Sequence, residues 1–165
     1  MKVVTEEFFF SGEHKYCENN TLTTKSGTFT FHRNTYLSLD GAREFCKKKG
    51  EILAPITNWD DFYQIRNYTD SCTNLGGSSS YRVGLDIIQD KVRYFTNGEV
   101  FDERVHGPMY SPINDVSTKP GSCWETIFYS HPIVDMIGVG KNNHCFYWDH
   151  PFMCLKPAAN PKMCN

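Results

Sequence analysis

The chain changes its hydrophobic rhythm several times, and each change marks an element. In GTFTFHR, residues 27 to 33, Phe29 and Phe31 alternate with polar neighbours, the period-two pattern of a half-buried strand. In SLDGAREFCKKKG the spacing lengthens to that of a helix. Leu39, Ala42, Phe45 and Cys46 share one face, Ser38 stands at the N-cap, and Gly50 stands where the helix stops. ILAPI reads as a short extended connector. A second helix is expected from NWDDFYQIRNY, with Asn58 as cap, Asp61 three residues on as in a capping box, and Phe62, Ile65 and Trp59 turned inward. SCTNLGGSSS, residues 71 to 80, reads as loop.

Alternation then returns. YRVGLDI sets Tyr81, Val83 and Leu85 on one side, and VRYFTNGEVF reads as two short strands around the turn Thr96-Asn97-Gly98. Residues 102 to 122 carry Pro108, Pro112 and Pro120 with little periodicity. A stretch of that length in a compact domain is either a binding loop or a misread element. CWETIFY and HCFYW read as strands, and FMCLK closes the sheet before a proline-rich tail. Two early helices followed by short strands and a long loop predict an α+β fold. The expected organisation is an N-terminal extension over 1–27 that holds one hairpin strand, a folded domain over 28–156, and a tail over 157–165.

Composition narrows the class. A chain of 165 residues, 39% hydrophobic and 22% charged, is the size of one domain with a modest core. A net charge of -2 and a pI near 6.3 remove the usual case for nucleic-acid binding. Lys47, Lys48 and Lys49 fit the solvated end of the first helix, where cations complement the helix dipole. Seven cysteines without a CxxC pair fit an oxidised, extracytoplasmic domain better than a zinc site. The opening residues turn acidic too early for a secretory signal, so the chain is expected to be part of a longer secreted or membrane-anchored protein. Asn19-Asn20-Thr21 and Asn67-Tyr68-Thr69 are glycosylation sequons, at Asn19 and Asn67.

The densest chemistry lies in HCFYWDHPFMC, residues 144 to 154, which reads either as a reactive cluster or as a stapled pair of strands. Cys46 lies on the inner face of the first helix and Cys154 on the last strand. A bond between them would close a loop of roughly 109 residues, worth on the order of 4 to 5 kcal/mol by chain entropy. Cys123 and Cys145 begin neighbouring strands and are placed to join a second, smaller loop.

From about residue 29 to 155 the chain resembles a C-type lectin-like domain that is a divergent member of its superfamily. The resemblance is carried by LDGAREFCKKKGEILAPI with Ala42, Cys46, Gly50, Leu53, Ala54 and Ile56, by RVGL at 82 to 85, by FTNG at 95 to 98, and by PFMC at 151 to 154. It implies an outer disulfide Cys46–Cys154 and an inner one Cys123–Cys145. The family's longer form has an N-terminal hairpin with its own disulfide. Cys17 matches the first half, but Thr28 occupies the second. Cys164 in the tail is therefore the favoured partner of Cys17, and Cys72 is left unassigned: free, pairing two chains in a disulfide-linked homodimer, or bonded to a cysteine elsewhere in a longer protein. A non-covalent homodimer is also open.

Sugar-binding members of the family hold calcium through an acidic or amide triplet around a proline and a Trp-Asn-Asp run. Here those positions hold Ser111, Pro112 and Ile113, and then Gly140, Lys141 and Asn142. Calcium wants six to eight hard oxygens, and a lysine among them repels the ion. No metal or cofactor is therefore expected. A shifted calcium or sugar site using Asn114, Asp115, Asn142 and Asn143 is the alternative. The favoured function is binding of an extracellular or cell-surface protein, without calcium. Arg104, His106, Met109, Tyr110, Ile113, Lys119 and Lys141 are the candidate contacts, although Met109 and Ile113 equally suit packing of the loop onto the domain. A glycan is the second reading and a structural or adhesive ectodomain the third. His144, Asp149 and His150 flank cysteines that a disulfide would consume, and no nucleophile, phosphate-loop or dinucleotide pattern is present, so no enzyme is expected.

Overall fold

A computed structural model describes residues 19–72, 80–87, 92–111, 123–129, 137–142 and 149–159. Its elements are β1 (Thr21–Thr24), β2 (Gly27–Leu37), α1 (Leu39–Lys48), β3 (Ile52–Leu53), α2 (Trp59–Ser71), β4 (Ser80–Arg82), β5 (Leu85–Ile87), β6 (Arg93–Phe95), a 3-10 turn (Gly107–Met109), β7 (Cys123–Tyr129), β8 (Gly138–Asn142) and β9 (His150–Pro157). The main sheet runs β1-β2-β9-β4-β7-β8, with β3 also paired to β9, while β5 and β6 form a separate hairpin. All these pairs are antiparallel except β4 with β9. The last strand of the chain thus lies beside the early strand β2, which brings the two ends of the domain together.

The two helices form for the local reasons their sequences give. Ser38 accepts the Gly41 N–H at 3.2 Å and caps α1, with Lys47 and Lys48 in its last turn. Asn58 accepts the Asp61 N–H at 2.8 Å and caps α2. Asp61 is nearly fully buried and accepts from Asn58 Nδ2 at 2.9 Å and from Ser26 Oγ at 2.6 Å. That carboxylate therefore fastens the β1–β2 turn to the start of α2.

Strand β2 divides the interior because its side chains alternate. Phe29 and Phe31 enter the larger core, where Phe31 stacks on Tyr68 of α2 with centroids 4.5 Å apart. His32 faces the other side and stacks on Phe152 at 4.8 Å, beneath Phe45 of α1. Ala42, Cys46, Leu53, Phe152 and Cys154 make up that smaller core, and the expected disulfide Cys46–Cys154 lies inside it with Cα atoms 5.5 Å apart. The two cysteines are fully buried, so the crosslink ties α1 to the central strand of the sheet.

Several expectations change. β1 falls in the stretch set aside as an N-terminal extension, yet it is the edge of the main sheet and sends Leu22 into the core, so the domain begins before residue 21. At the other end β9 continues through Pro157, the first residue of the expected tail, and Ala158 N–H donates to the Ser26 carbonyl at 2.9 Å. β8, with the sequence GVGKN, was not expected, because two glycines and one apolar residue give no alternation. Cys72 is buried and disulfide-bonded. With Cys46 and Cys154 bonded to each other, its partner is one of Cys17, Cys123, Cys145 and Cys164, so Cys123–Cys145 and Cys17–Cys164 cannot both hold. The stretch HCFYW and the segment Phe8-Phe9-Phe10 also lie outside the described residues.

Candidate functional site

The segment between β5 and β7 is where the sequence placed its recognition loop. β5 and β6 pair through Leu85 with Phe95 and Ile87 with Arg93. The chain then reverses over FTNG. Gly98 has φ +86, a backbone region that favours glycine, and its N–H donates to the Phe95 carbonyl at 2.8 Å. The Asn97 side chain accepts the Glu99 N–H at 2.9 Å and completes the turn. Gly84, in the RVGL stretch, serves a different need. It passes so close to residues 53 and 96 that an added Cβ would collide with the Leu53 carbonyl oxygen. Thr96 Oγ1 donates to that same oxygen at 2.6 Å, which locks the hairpin to the body.

After the turn, the chain packs inward. Phe95, Phe101, His106 and Tyr110 form one cluster, with the His106 ring 4.9 Å from Phe95 and 5.4 Å from Phe101. His106 Nδ1 accepts the Asp102 N–H at 2.9 Å, which ties the ring to the main chain. Tyr110 is buried and donates its hydroxyl to the Ile56 carbonyl at 2.6 Å. Burial pushes its ionisation well above the usual tyrosine range. Met109 is also buried, and its carbonyl accepts the Ile137 N–H at 2.6 Å beside a parallel bridge from Tyr110 to Ile137.

His106 and Tyr110 were expected to touch a partner, and this is corrected: their side chains are core, as is that of Met109, for which packing was the alternative reading. The apolar character that suggested an interface serves packing instead, and the polar tips of His106 and Tyr110 are spent on main-chain groups. Arg104 is exposed and remains available. Lys141 and Asn142 lie on β8, opposite Trp124 and Cys123 of β7. Ile113, Lys119, Asn114, Asp115 and Asn143 lie outside the described residues, as do Cys17, Cys145 and Cys164. Asn19 and Asn67 are both exposed.

The same segment carries exposed apolar side chains that the sequence reading missed. Val92, Tyr94, Val100 and Val105 are exposed by 40%, 37%, 59% and 57%, and Tyr94 bridges Val100 across the hairpin. Alternation held the signal: with Phe95 and Phe101 turned inward, Tyr94 and Val100 must face out. On the inner side Arg93 lies 4.6 Å over the Phe101 ring with its side chain only 11% exposed, and it pairs with Glu103 at 2.8 Å. The outer side of the hairpin thus carries Val92, Tyr94 and Val100, with Glu103, Arg104 and Val105 exposed on the turn that follows, while the inner face is fixed.

One cluster of potential metal ligands occurs among the described residues, His32, Glu51 and Cys154, with ligand atoms within 4.8 Å of one another. The Cys154 sulfur is bonded to Cys46, so it offers no thiolate. His32 is half-buried, and burial first, then the nearby Lys49, lowers its pKa from 6.5 to about 4. Two remaining donors on separate elements do not complete a zinc site, and they lack the oxygens calcium needs.

The architecture is the C-type lectin-like fold: two helices, a sheet that sets the last strand beside the early strand β2, and a Cys46–Cys154 staple. The herring type II antifreeze protein is similar, at 17% identity and a TM-score of 0.60 over 87% of this chain and 100% of that one. So is the carbohydrate-recognition domain of the mouse scavenger receptor C-type lectin, at 18% identity and 0.58 over 86% and 98%. The C-type lectin domain of murine dendritic cell inhibitory receptor 2, solved in complex with an N-glycan, shares 14% identity at 0.54 over 84% and 97%. No family model and no curated protein sequence matches the chain. No helix among the described residues is long and apolar enough to cross a membrane.

Proposed function

We propose that this domain is an extracellular, non-enzymatic recognition module that binds a protein partner without calcium. The exposed set Val92, Tyr94, Val100 and Val105 carries the reading, because it concentrates apolar surface beside Arg104 on a hairpin held rigid from within. A preorganised loop loses little entropy on binding, which favours affinity. The donor chemistry argues against the calcium mode of sugar-binding relatives. Gly140 has no side-chain oxygen and Lys141 brings a positive charge, while Ser111 offers a neutral hydroxyl in place of a carboxylate or amide. Three of the four exposed side chains are valines, and aliphatic contacts suit a protein surface better than a free sugar, whose C–H face is met by aromatic rings.

A glycan remains the second reading, supported by the similar domains whose structures contain an N-glycan or N-acetylglucosamine. The two readings separate when a tagged, soluble form of the chain is tested on cells displaying single extracellular proteins, with and without a calcium chelator. The expected result is chelator-resistant binding that survives enzymatic deglycosylation of the target and falls at least about 30-fold with Val100→Asp, as for the loss of a hot spot. Binding abolished by the chelator or by deglycosylation would overturn the protein reading. Seven cysteines leave at least one without an intrachain partner, so a covalent homodimer is tested by electrophoresis without reductant.

A further inference from the structure

Helix α2 carries a second surface, well apart in sequence from the hairpin. Trp59, Tyr63 and Asn67 follow one another at four-residue steps and therefore lie along one face. Helical side chains lean toward the N-terminus, so each member covers the turn before it. The first step of this ridge is visible: the Trp59 and Tyr63 rings stack with centroids 5.5 Å apart and planes 23° apart. Trp59 is partly buried against the core, but Tyr63 is 51% exposed. The next step places the exposed amide of Asn67 over Tyr63. Asn67-Tyr68-Thr69 is a complete sequon, so the residue one turn beyond the ring pair is one that accepts sugar.

We infer that Asn67 carries an N-linked glycan whose first N-acetylglucosamine packs on the Trp59–Tyr63 ring pair. Covalent attachment names the occupant, and it holds the sugar at high effective concentration beside the rings. The ring faces carry the negative part of an aromatic quadrupole and meet the slightly positive C–H groups on one face of a pyranose. In the attachment, Asn67 Nδ2 gives up one proton and bonds to the anomeric carbon of a lipid-pyrophosphate-linked oligosaccharide. The C–O bond to the pyrophosphate breaks, and the lipid pyrophosphate leaves with the electron pair. Thr69 sets the timing. It is 3% exposed and its hydroxyl donates to the Arg66 carbonyl at 3.0 Å, so the sequon is accessible only before α2 closes onto the sheet. Asn19, exposed in the turn before β1, is under no such constraint.

The test uses the full chain secreted from a eukaryotic host, with occupancy at Asn67 read by glycopeptide mass and the glycan trimmed enzymatically to one N-acetylglucosamine. The expected protein is occupied at Asn67 and melts about 2 °C above Asn67→Gln, the shift for one aromatic contact in a chain of this size. In a Tyr63→Ala background the same comparison should give no difference, and magnetisation transfer from sugar C–H protons to the Tyr63 ring should be seen in the parent. An unmodified Asn67, or an equal gain in melting temperature with and without Tyr63, would overturn the inference. Both substituted positions are exposed, so each variant is expected to fold, and far-ultraviolet circular dichroism checks that it does.

Discussion

Tyr110→Phe removes one oxygen and nothing else from a side chain that is 2% exposed. The ring keeps its place beside Phe101 and Phe95, at centroid distances of 5.5 and 6.0 Å. The lost group donates to the Ile56 carbonyl at 2.6 Å, in the connector between β3 and α2, and this bond spans 54 residues. A net hydrogen bond is worth about 1 kcal/mol, and a buried carbonyl left without its donor adds a desolvation cost, so the expected loss is about 1 to 2 kcal/mol. With a urea slope of roughly 2 kcal/mol per molar for a domain of this size, the midpoint falls by about 0.5 to 1 M while the slope stays constant. The assay is equilibrium urea unfolding with disulfides intact, followed by tryptophan fluorescence. An unchanged midpoint would show that the hydroxyl faces solvent, contrary to the packing described here. If partner binding fell as well, Tyr110 would be restored as a contact residue.

Three further outcomes follow from the same structure. Gly84→Ala pushes a methyl into the Leu53 carbonyl and to 2.5 Å from Thr96 Oγ1, so the melting temperature should drop by about 5 to 10 °C; an unchanged value would refute the close crossing of these segments. Replacing both Cys46 and Cys154 by alanine frees a loop whose ends are 108 residues apart, a loss of about 5 kcal/mol by chain entropy, read as unfolding near physiological temperature in circular dichroism. A melting temperature like that of the parent would refute the staple's role. His32, lowered to about 4 in the fold, contributes stability that is full above pH 6.5 and is lost as pH falls toward 4, because the unfolded chain takes up the proton first. The whole shift is worth roughly 3 kcal/mol, and screening of a half-exposed ring reduces this to about 1 kcal/mol. His32→Gln should therefore flatten the acid limb of the melting curve against pH, and an identical limb in parent and variant would refute it.

Local rules were enough to read much of the scaffold. Ser38 and Asn58 cap the helices they were expected to cap, the inward stripes of α1 and α2 reach the core, and Phe29 with Phe31 faces one side of β2. These features depend on the period of a helix or strand and on a side chain reaching its own first turn, so a few consecutive residues decide them. The family resemblance also located Cys46 and Cys154, because their order along the chain follows from the way the last strand returns to the first helix.

The surface was a different matter. In residues 102 to 111 the sequence shows apolar and aromatic side chains without a period, and such a segment reads equally well as interface or as core. Only the tertiary structure decides, by bringing Ile56 to the Tyr110 hydroxyl and Ile137 to the Met109 carbonyl. The Tyr110 hydroxyl finds its partner 54 positions away in sequence, which is invisible to any local pattern. The same holds for β8, whose glycines take strand form because β7 supplies its hydrogen bonds. Periodicity thus determined which residues can face inward, and burial against distant chain determined which of them do.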